Sequence, residues 1–62
     1  MNRAENTVTV IAIIKGSERY VFLFDDQNRV EAIRQAGRFA ANPELTFTWM
    51  DAAVFNRKAR ET

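Results

Sequence analysis

The chain has 62 residues, 47% of them hydrophobic, with nine Lys/Arg against eight Asp/Glu and no Cys or His. One domain fits this length, burying only about 60% of its unfolded surface. Disulfides, zinc fingers and most transition-metal sites are excluded, and a net charge of +1 gives no general attraction to nucleic acid or anionic membrane. Small domains without such cross-links commonly gain stability from a partner subunit.

Residues 1–6 are polar and read as a frayed end. Thr7 to Lys15 is rich in β-branched residues and predicts a strand. Its apolar run is too short to span a bilayer, and the chain reads as soluble, cytoplasmic and intact. Lys15-Gly16-Ser17-Glu18 suits a two-residue hairpin turn, because Gly accepts a positive φ. A second strand follows over Arg19 to Phe24. Ile11, Ile13, Val21 and Leu23 are expected on one apolar face of the sheet, and Val8, Val10, Ile14, Tyr20, Phe22 and Phe24 on the other.

Asp25 or Asp26 is expected to cap a helix running to Ala41, which ends before Asn42-Pro43. Val30, Ile33, Ala36, Gly37 and Ala40 form its apolar stripe, where Gly37 would let the helix approach the sheet closely. Leu45 to Met50 alternates apolar and threonine residues and predicts a third strand. Asp51 then caps a short C-terminal helix.

The expected fold is therefore one α+β domain over residues 1–62, of order β-β-α-β-α. Its three-stranded sheet has spatial order 2-1-3, with one long helix on one face and a short C-terminal helix. In that topology Asp25, Asp26 and Asp51 gather at one edge, and Lys15, Arg19 and Arg38 at the opposite one. The C-terminal helix would carry Arg57, Lys58 and Arg60 away from the acids. Three carboxylates at strand ends are a candidate Mg²⁺ site, against the plainer reading of helix caps.

The run Val21 to Gly37 resembles the opening of a response-regulator receiver domain, in which an apolar strand ends in a metal-holding acidic pair. That fold needs five strands, and its phospho-accepting aspartate and distal lysine have no counterparts here, so no activity is carried over. Tyr20, Phe22 and Phe24 resemble the aromatic strand of the RNA-recognition fold. The glycine that directly precedes the stacking aromatics there is displaced here, since Gly16 is separated from Tyr20 by three residues.

Catalysis has little to stand on. The sole serine, Ser17, has no histidine to activate it, and two glycines make no phosphate-binding loop. A non-enzymatic interaction module without a cofactor is expected. It would form a homodimer through a sheet face or edge strand, with Tyr20, Phe22, Phe24, Phe39, Phe47, Trp49 and Phe55 as interface candidates. The alternative is a nucleic-acid-binding accessory protein that uses Arg57, Lys58 and Arg60.

Overall fold

A computed structural model describes residues 7–62. Four elements follow in the order β1 (Thr9–Lys15), β2 (Glu18–Phe24), α1 (Arg29–Ala41) and α2 (Trp49–Arg60). The two strands form an antiparallel hairpin. Gly16 has φ of +61° and Ser17 has none of the positive φ values, the pattern of a type II′ turn. That turn matches the right-handed twist of the strands it joins.

The expected three-stranded sheet of β-β-α-β-α order is not formed; the order is β-β-α-α with a two-stranded sheet. Leu45 to Met50 is not a strand. Thr48 is the N-cap of α2, and its hydroxyl accepts from the Asp51 amide while the Asp51 carboxylate accepts from the Thr48 amide. This reciprocal pair satisfies two donors that a helix start leaves open, so it commits Trp49 onward to helix. Too few residues then remain for a strand. Phe47 keeps its inward direction as a buried side chain in the connecting loop. Asp51 is thus the third residue of α2 and not its cap.

α1 also begins later than its acids suggest. Asp25 accepts from the amides of Gln27 and Asn28, closing a turn ahead of the helix, and Asn28 is the N-cap, its side chain donating to Asp25 and making no capping bond. The C-terminal boundary falls at Asn42 before Pro43, as the proline requires.

Both helices lie on the same side of the hairpin. Ile11, Phe22, Phe24, Ala36, Phe47, Phe55 and Ala59 form the core, with Ile13, Tyr20, Ala32, Ile33, Phe39 and Leu45 packed around it. Phe55 is the fully buried centre; its ring lies 4.2 Å from Phe22 and 6.0 Å, edge-on, from Phe24. Phe47 sits edge-on to Tyr20 and Phe39 at 5.1 and 5.8 Å. Such offset and edge contacts are the favoured arrangement of aromatic quadrupoles. The inward row of α1 is rotated from the expected stripe, for Val30 is exposed while Ala32 and Ala36 face the core. Gly37 is not a close-approach residue, because a Cβ built there meets nothing within 4 Å.

Polar clasps hold the two layers at each end. Near the hairpin turn Lys15 Nζ lies 3.0 Å from Asp51 Oδ2, and the Tyr20 hydroxyl and Thr46 Oγ1 are 2.8 Å apart. At the open end Arg29 donates to the Ala59 carbonyl of α2 and to Asp26. There the guanidinium meets the negative end of the α2 dipole. No helix among the described residues is long and apolar enough to cross a membrane.

Candidate interaction surface

The parity of the hairpin decides which side chains reach solvent. A two-residue loop pairs Lys15 with Glu18, so Ile13 faces Tyr20, Ile11 faces Phe22 and Thr9 faces Phe24. Odd positions of β1 therefore share a face with even positions of β2. This corrects the expected grouping of Ile11 and Ile13 with Val21 and Leu23, and of Val8, Val10 and Ile14 with the aromatic row. Ile11 and Ile13 join Tyr20, Phe22 and Phe24 over the helices. Val10, Ala12 and Ile14 join Val21 and Leu23 on the outside.

Among the described residues no element covers that outer face. Val8, Val10, Ile14, Val21 and Leu23 are 56, 60, 61, 48 and 65% exposed. A strand exposed on one face ordinarily alternates apolar with polar residues. Here only Arg19, opposite Ile14, breaks the outer apolar row of the paired strands. β-Branched residues hold the strand conformation while these aliphatic side chains stand toward water. Two further features border it. A groove of about 380 Å³ runs along β2 beside α1, between Val21 and Leu23 on one wall and Glu31 and Gln35 on the other. Among the described residues both edges of the hairpin are open, since the sheet has two strands.

The expected site residues are placed differently from one another. Tyr20, Phe22, Phe24, Phe39, Phe47 and Phe55 lie in the core or packed against it. Trp49 is exposed, at the start of α2 over a second groove with Ile33, Gly37 and Ala52. The outer aliphatic row did not stand out in the sequence because aromatic rings dominate β2. Its signal was nevertheless present: Gly16-Ser17 as a two-residue loop implies the parity just described.

Asp25, Asp26 and Asp51 are not brought together. Asp51 pairs with Lys15 at the turn end of the hairpin, whereas Asp25 and Asp26 follow β2 at the open end. A seven-residue strand, roughly 20 Å at about 3.3 Å per residue, separates the two ends. Among the described residues no group of three His, Cys, Asp or Glu side chains is placed to hold a metal. The expected segregation of charge also fails, because the third strand that would have carried Asp51 to the acidic edge does not exist. Arg57, Lys58 and Arg60 lie in the last turn of α2, where Arg29, which also holds Asp26, donates to the Ala59 carbonyl. All three are exposed, and none forms an ion pair among the described residues.

Two carboxylates are held below their ordinary range. Asp51 is lowered chiefly by the Thr48 amide, with Lys15 adding to it. Glu18 is lowered by the Thr46 hydroxyl and then by the Tyr20 hydroxyl. Donors stabilise the ionised form in each case. Both groups serve the clasp at the turn end. Comparison with protein-family models, with curated proteins and with solved structures finds no match.

Proposed function

We propose that this chain is a small non-catalytic interaction module that self-associates through the outer face or an open edge of its β-hairpin. The outer row of Val8, Val10, Ile14, Val21 and Leu23 carries this reading. The helices occupy the inner face, so among the described residues nothing packs over these side chains and a second molecule can add burial to them. Association would also compensate for the small core of a 62-residue chain without cysteine. A twofold homodimer is the commonest closed assembly and requires a self-complementary patch. Light scattering coupled to size-exclusion chromatography tests the reading. A mass at least twice that of the chain, falling on dilution, supports it; a monomer at high micromolar concentration refutes it.

A second reading rests on Arg57, Lys58 and Arg60, which form no ion pair among the described residues. Three cations at a helix end suit contacts to a phosphate backbone. Salt-sensitive binding to RNA or DNA that weakens when all three are replaced by glutamine would favour it over self-association alone.

A further inference from the structure

We infer that a second copy of the chain pairs antiparallel along the free edge of β2, with Phe22 opposite Phe22 and Arg19 opposite Asp25 of the other copy. This rests on the self-association reading and specifies its geometry.

The hairpin register determines which backbone groups are free. The two-residue loop makes Lys15 and Glu18 a hydrogen-bonded pair. Alternation then gives the cross-hairpin bonds to the pairs Ile13–Tyr20, Ile11–Phe22 and Thr9–Phe24. The N–H and C=O groups of Arg19, Val21 and Leu23 consequently point away from β1. No backbone group of another element among the described residues bonds to them. Such a row is a template for another strand. The groove between β2 and α1 leaves space beside it, with Glu31 and Gln35 on its far wall.

Backbone hydrogen bonding favours edge pairing over stacking of single hairpins face to face. Seven residues per strand at about 3.3 Å and two strands about 5 Å apart give an outer face of roughly 23 by 10 Å. That footprint, roughly 230 Å², is small against the ~800 Å² per partner of a standard interface. Edge pairing adds backbone hydrogen bonds and joins the two outer faces into one apolar surface twice as wide.

Charge selects the register. Opposed residues must lie on the same face, so the twofold axis passes at Val21 or at Phe22. The first choice sets Arg19 against Leu23 and Glu18 against Phe24. The second sets Val21 against Leu23 and Arg19 against Asp25, twice per dimer. Arg19 forms no ion pair among the described residues. Asp25 uses only Oδ1 for Gln27 and Asn28. Opposite charges across a strand pair attract, whereas the first register buries a guanidinium stem against leucine without a partner. The β1 edge offers no such match: its symmetric register opposes Thr9 to Lys15, which Asp51 already holds.

Cysteine cross-linking of the full-length chain tests the register, and the absence of native cysteine leaves no background. Val21→Cys and Leu23→Cys variants are prepared separately, mixed and oxidised. A disulfide-linked dimer in the mixture, and none in either variant alone, is expected. Opposed strand residues lie about 5.5 Å apart at Cα, within disulfide range, whereas stacked faces are about 10 Å apart and are not. Cross-linking of Val21→Cys alone would overturn the register in favour of the axis at Val21. A dimer by light scattering that yields no cross-link would overturn edge pairing and leave self-association standing. A monomer at every concentration would overturn both.

Discussion

Replacing Leu23 with lysine perturbs the outer face while leaving the core untouched. Leu23 is 65% exposed in the single chain and meets Val21 of the other copy across the paired edges. An apolar cross-strand pair is worth about 0.2–1 kcal/mol. A twofold dimer contains the pair twice, for about 0.4–2 kcal/mol in all. Since each 1.4 kcal/mol is about tenfold, the dissociation constant should rise about 2-fold to 30-fold. Sedimentation equilibrium across a dilution series reads the association. Thermal melts followed by far-ultraviolet circular dichroism at the dilute end read the folding of the single chain, which should change by no more than about 0.5 kcal/mol. An unaltered association with a lowered melting temperature would refute the reasoning, because Leu23 would then be packed within its own chain.

Further predictions concern the fold and its clasps. Thr48→Ala removes one half of the reciprocal cap and should lower stability by about 1 kcal/mol, a fall of about 4–8 °C in Tm for a domain of this size. Thr48→Ser should restore most of it, and an unchanged Tm for the alanine variant would contradict the cap as the start of α2. Gly37→Ala should raise stability by about 0.5–1 kcal/mol in urea unfolding, because the added methyl meets open space and helical glycine is entropically unfavourable. A loss of stability would show that the position is sterically closed. Asp51 and Glu18 have folded pKa values below their unfolded ones, so their contribution is complete above the ordinary carboxylate range near pH 4. It is lost as pH falls through the lowered folded values. Melts between pH 7 and pH 2 should therefore show an acid limb that Asp51→Asn and Glu18→Gln both flatten; an unaltered limb in the double variant would exclude these groups as its origin.

The amino-acid sequence determined the elements with strong local signals. Gly16 could take the positive φ of a tight turn, so the hairpin and its two-residue loop were legible. Asn42-Pro43 ended α1 because a residue before proline avoids the helical region. The absence of Cys and His excludes disulfides and zinc-finger sites whatever the fold. The surplus of aliphatic side chains was also apparent, although the residues assigned to each face were not.

Tertiary structure decided what local pattern left balanced. Leu45 to Met50 alternates like a strand, yet a Thr48–Asp51 cap competed for the same residues and prevailed. A strand there would have required a sheet neighbour, whereas the cap satisfied its donors locally and let Phe47 and Phe55 reach the hairpin. Loss of that strand separated Asp51 from Asp25 and Asp26 and dispersed the acidic cluster. It also left the hairpin with two open edges. Only the packing of both helices on one side showed which row of side chains remains in water: the aliphatic residues of β1 and β2, and not the aromatic rings that dominate the sequence.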